Sequence, residues 1–146
     1  MIRPLLFTAL LAATPALADV TVTASWARAS IVASRPGAAY LTLQTSEADR
    51  LVSITTPVAE KVMIHAIETG DDGLARMRSL DVLDLPADVP LTLAPGGMHI
   101  MLMGLTRTLL EGTRFPLTLG FETAGEVTIK VPVLGIAAAG PGEVAQ

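Results

Sequence analysis

From Val20 onward the chain runs as short apolar segments broken by Gly, Pro, Asp and Ser about every ten residues, and no stretch keeps a helical period for three turns. That pattern directs the chain to an all-β sandwich or barrel. Candidate strands cover residues 20–24, 38–44, 51–55, 62–68, 74–79, 91–93, 99–103, 117–122 and 127–131. About nine strands in a mature chain of this size suit a two-sheet β-sandwich. Turn chemistry separates them at Ser34-Arg35-Pro36-Gly37, Gly70-Asp71-Asp72-Gly73, Ala94-Pro95-Gly96-Gly97 and Thr123-Ala124-Gly125. Residues 136–146 are rich in Ala, Gly and Pro and are expected to form a disordered tail.

The first residues obey a different rule. Met1-Ile2-Arg3 precedes an apolar run from Leu5 to Ala18 that ends in Ala16-Leu17-Ala18. The run is shorter than the roughly 20 residues of a spanning helix and closes on small residues, so residues 1–18 read as a secretory signal peptide. Cleavage after Ala18 would leave a mature domain of residues 19–135 plus the tail, with no membrane span and a periplasmic destination. Loss of Arg3 leaves 9 Lys+Arg against 14 Asp+Glu, a net charge of −5. With that charge and only 3% aromatic residues, the chain lacks the cationic field and the stacking platforms of a nucleic-acid binder. The absence of Cys excludes disulfides, thiolate nucleophiles, Fe–S clusters and thiolate zinc sites. Soft-ligand chemistry must therefore come from Met and His.

Those residues are unevenly placed. Along a strand, alternate side chains share a face, so His99, Met101 and Met103 point one way while Ile100 and Leu102 point the other. Met63, His65 and Ile67 share a face in the same manner. A hairpin with an odd-numbered loop, such as residues 69–73, would set His65 directly opposite Met77; a two-residue loop would put them on opposite faces. Met is often a core filler and a lone His is often a core residue. Here, however, Met98, Met101 and Met103 crowd around one of only two His.

The spacing His65, eleven residues, Met77, twenty-one residues, His99, one residue, Met101 resembles the signature of the periplasmic PCuAC copper chaperones: His, an optional Met, ten residues, Met, twenty-one residues, His, any residue, Met. Further blocks are similar to the family: Ser25-Trp26-Ala27-Arg28-Ala29, Pro36-Gly37-Ala38-Ala39-Tyr40-Leu41, Asp49-Arg50-Leu51, the run from Pro95 to Leu105 and the closing strands from Phe121 to Val133. The resemblance implies a cupredoxin-like β-sandwich and a Cu(I) site formed by His65, Met77, His99 and Met101. It also implies delivery of copper to respiratory oxidase assembly, at a binuclear copper centre. The partner would be a copper-accepting protein with reduced thiols, an oxidase subunit or assembly factor. Ala66 stands where the optional Met would be and a His- and Met-rich extension is missing, so the resemblance carries no second, cupric site.

The ligand set suits that metal. Thioethers are neutral and soft and favour Cu(I) over Cu(II) and over hard cations. Without Cys there is no blue-copper electron-transfer site, which needs a thiolate. Only the two imidazoles couple binding to pH, so affinity falls as acid protonates them. Met63→Leu is expected to matter little, and Met101 or Met103 is expected to be the ligand displaced first on transfer.

Other features read as structure. Gly96-Gly97 is a turn rather than an anion nest, and Asp81, Asp84 and Asp88 form a solvated face. Trp26 and Tyr40 read as core or corner residues, and Ser25 lacks the GxSxG setting of a hydrolase. No enzymatic activity is expected. The rivals are a copper buffer for tolerance, a metal-free interaction sandwich, and a copper oxidase or monooxygenase. The last is disfavoured because the mature chain would start at Asp19 and not at His.

Overall fold

The computed structural model describes residues 18–142, in which there are strands and no helices. The signal-peptide reading lies outside these residues except for Ala18, which is buried. No helix among the described residues is long and apolar enough to cross a membrane.

The chain forms β1 (Val20–Arg28), β2 (Gly37–Thr45), β3 (Asp49–Thr55), β4 (Ala59–Thr69), β5 (Ala75–Leu80), β6 (Leu83–Leu85), β7 (Leu91–Leu93), β8 (His99–Leu105), β9 (Arg114–Phe121) and β10 (Gly125–Leu134). One sheet runs β5-β4-β8-β2-β1, with β7 also pairing β2; the other runs β10-β9-β3-β6. A short parallel pairing of β1 with β10, Ala27 to Val133 and Arg28 to Leu134, joins them. This is the two-sheet sandwich expected from the strand pattern. Alternate residues of each sheet fill the space between: Leu41, Leu43, Ile64, Ile100 and Leu102 from the first, Leu51, Phe115, Leu117, Leu119 and Val131 from the second. Each such side chain contributes about 1.5–3 kcal/mol on leaving water.

β1 carries the irregularity that matters for the outer surface. Thr23 pairs with Thr42 but Trp26 pairs with Tyr40, so β1 holds one extra residue, and Ala24 takes a positive φ of 50°. The bulge reverses which residues face inward. Val22 packs on the core before it, Ala27 after it, and Trp26 turns outward. There Trp26 stacks on Tyr40 at 4.5 Å between centroids, with the Arg28 guanidinium 5.7 Å from the Tyr40 ring. These aromatics form a second small cluster, separate from the main core.

Three features depart from the expectations. β6 is an additional strand: Leu83 and Leu85 point inward, and Asp84 points outward to Arg50 at 3.3 Å. The alternation of acids with apolar residues there is a strand signal as well as a solvated face. β1 runs on through the bulge to Arg28, past the expected end at residue 24. At the C-terminus, Ala138 is buried against Trp26 and Tyr40 and its carbonyl accepts a 2.8 Å hydrogen bond from Arg28 Nε. At Ala138 the expected tail is thus in contact with the domain; residues 143–146 lie outside the described residues.

Candidate metal site

β4 and β8 lie side by side in the first sheet, and their register sets His65 directly across from His99 and Met63 across from Met101. All four side chains leave the outer face, since Ile64, Ile100 and Leu102 between them enter the core. The two imidazole rings are 5.5 Å apart between centroids and meet edge to face at 77°. Next to Met101 on the other side is Ala38 of β2, whose small side chain leaves the thioether room.

The β7–β8 turn positions His99. Gly96 has a φ of 83°, a left-handed conformation suited to glycine, and Gly97 N–H donates to Ala94 O at 3.0 Å. The turn thereby aims Gly97 O at His99 Nδ1, 3.3 Å away. A carbonyl can only accept, so Nδ1 carries the proton and the lone pair of His99 lies on Nε2. A backbone carbonyl holding the far nitrogen of a ligand imidazole is the usual way a metal-binding His is oriented. His65 shows a complementary sign: its Nδ1 is buried with no hydrogen-bond partner. A buried polar atom left bare in this manner is costly unless something absent from the protein atoms satisfies it.

Met77 is on the same outer face, but not where the sequence puts it. The expected odd-numbered loop is present, and the β4–β5 hairpin closes with Thr69 paired to Ala75, Ile67 to Met77 and His65 to Ser79. The loop is thus residues 70–74, tied by Gly70 N–H to Leu74 O at 3.0 Å and with Gly73 at a φ of 76°. Starting the loop one residue later moves the pairing by two, so Met77 sits diagonal to His65 instead of opposite it. Diagonal neighbours remain within reach of long side chains. Met77 is 61% exposed on an edge strand, whereas His99 is 9% exposed.

The packing also separates two uses of Met. Met98 packs against the main core, while Met63, Met77, Met101 and Met103 do not belong to it. Four thioethers and two imidazoles on the outer side of one sheet are more than gap filling requires. Among the described residues no three of His, Cys, Asp and Glu come together, so this patch has no nearby carboxylate set for a hard cation. Asp81, Asp84 and Asp88 are all exposed, in keeping with a solvated face.

Solved structures share this architecture. The apo PCuAC domain of PmoF2 superposes with a TM-score of 0.67 at 27% identity, covering 83% of this chain and 94% of that one. The copper-bound PCuAC domain from PmoF2 gives 0.66 at 26% identity, covering 80% and 92%. CuI-DR1885 from Deinococcus radiodurans gives 0.60 at 30% identity, covering 85% and 81%. The fold is thus that of the PCuAC class of copper-binding domains. The family described as "Putative lipoprotein LpqE-like" matches residues 20–133, and the chain belongs to it. A relative named "Putative lipoprotein Lxx21020", from Leifsonia xyli subsp. xyli, is 34% identical over 83 residues, 57% of this chain. The chain spans about half the length of that relative.

Proposed function

We propose that the protein is an exported Cu(I) metallochaperone, a binding and transfer protein without turnover, and that His65, Met77, His99 and Met101 hold one Cu(I) as cargo. The observation that carries this reading is the His65–His99 pair, one imidazole oriented by Gly97 O and the other with a bare buried Nδ1, set among thioethers that the core does not use. Two neutral nitrogens and two neutral sulfurs leave the single charge of Cu(I) intact. They neutralise Cu(II) poorly. Two structural neighbours, the copper-bound PCuAC domain from PmoF2 and CuI-DR1885, carry copper and support the same metal.

Export to the periplasm through a cleaved leader rests on residues 1–18; the lipoprotein names of the family and of one relative support export. A lipid-modified Cys is not carried over, since the sequence has no Cys. The client we favour is a copper site of respiratory oxidase presenting reduced thiols. Thiolates bind Cu(I) more strongly than thioethers, so copper should pass from this protein to a dithiol and not return. Exposure changes the order of release expected from sequence. Met77, on the open edge strand, is the ligand an incoming thiolate reaches first, because Met101 lies between β4 and β2 inside the sheet.

Transfer is tested by mixing the Cu(I)-loaded protein anaerobically with a reduced dithiol acceptor domain and following copper by mass spectrometry. Copper should move faster than it dissociates into a chelator. Movement only at the spontaneous dissociation rate removes the delivery role and leaves a buffer.

A further inference from the structure

Met63 stands in neither the PCuAC spacing nor the proposed ligand set, yet the register gives it a central place. It is directly across from Met101 and two residues from His65 on the same strand face. Met77 lies on the opposite side of His65 along the strands, paired with Ile67 and one strand further from His99 and Met101. Nothing in the core claims the Met63 side chain. Its sulfur instead accepts a 3.7 Å hydrogen bond from the hydroxyl of Ser79, the β5 residue paired with His65. The thioether is therefore held against Ser79 at the β5 side of His65, with Met77 two residues further along β5. Met has three rotatable side-chain bonds, so the thioether can turn from Ser79 toward His65 and Met101 without moving the strand.

We propose that Met63 is a reserve thioether: resting on Ser79 while Met77 is bound, it replaces Met77 on Cu(I) when Met77 is displaced. The proposal rests on the cuprous reading of this face. In the exchange the Cu–S bond to Met77 breaks and one to Met63 forms. Both sulfurs are neutral, so no proton or electron moves and the charge at copper is unchanged. Only the weak hydroxyl–thioether bond to Ser79 is given up. The consequence is that copper keeps its coordination number while its exposed ligand is free for exchange.

The test is an anaerobic Cu(I) titration, by competition with a chromophoric chelator, of the unmodified protein and of Met63→Leu, Met77→Leu and the double variant. Circular dichroism checks that each is folded. Met63→Leu alone is expected to change Kd by less than about threefold and Met77→Leu by about tenfold, whereas the double variant should lose about a thousandfold, far beyond the product of the two. X-ray absorption of Cu(I)-loaded Met77→Leu should still show two sulfur neighbours. A double variant no weaker than the product of the singles, or a single sulfur in Met77→Leu, overturns the reserve role and leaves the four-residue site standing. Failure of the unmodified protein to take up Cu(I) overturns both.

Discussion

His99→Ala should abolish useful copper binding, raising the Cu(I) Kd at least a hundredfold, about 2.7 kcal/mol. The side chain is almost fully buried beside His65, and its Nδ1–H bond to Gly97 O holds Nε2 in one orientation, so no other nitrogen can take its place. Removing it leaves one imidazole and only thioethers. The neighbouring Met98 supplies the control. Met98→Leu conserves volume in a residue packed on the core, so it should cost less than about 1.5 kcal/mol of stability and leave Cu(I) affinity unchanged. Chelator competition and urea denaturation of the two variants separate the effects. Equal losses of copper affinity in both would mean that the strand, and not the imidazole, matters.

A large stability effect is expected away from the proposed copper site, at Asp49. This buried carboxylate accepts hydrogen bonds from the backbone N–H groups of Arg50 at 2.7 Å, Thr123 at 2.9 Å and Ala124 at 2.9 Å, and so ties the start of β3 to the β9–β10 turn. Burial alone would raise its pKa, but the hydrogen bonds from Thr123, Arg50 and Ala124 together outweigh burial and hold it below the ordinary carboxylate value. A group whose folded pKa is depressed stabilises the protein above its unfolded pKa of about 3.9 and loses that contribution as pH falls through the folded value. Asp49→Ala strands three N–H donors and should cost about 2–4 kcal/mol at pH 7. The gap between variant and unmodified protein, read by urea denaturation, should begin to narrow below about pH 4 and shrink further as pH falls through the folded value. A gap independent of pH would locate the cost in packing instead of in the charged hydrogen bonds.

Period-2 alternation made the sandwich legible because inward and outward residues separate cleanly in most strands. It failed where the chain breaks the period. The bulge at Ala24 reverses the faces of β1, so nothing in the spacing shows that Trp26 and Val22 point to opposite sides. β6 is three residues long and sits among acids, which masked its two inward leucines. At the candidate site, alternation put His99 and Met101 on one face of their strand, and an odd hairpin loop put His65 and Met77 on one face of theirs; that the two pairs share a face comes from the β4–β8 register. Lateral pairing was not legible: which strand lies beside β4 is decided by the folding of the whole sheet. The Met63–Met101 pair and the diagonal place of Met77 therefore emerge only from the structure.

Anaerobic titration of the protein with Cu(I) and Cu(II), with X-ray absorption of the loaded protein, tests the proposed site most directly. One Cu(I) per chain with two nitrogen and two sulfur neighbours is expected, with much weaker retention of Cu(II). No Cu(I) uptake under reducing conditions, or a copper environment without sulfur, would contradict it.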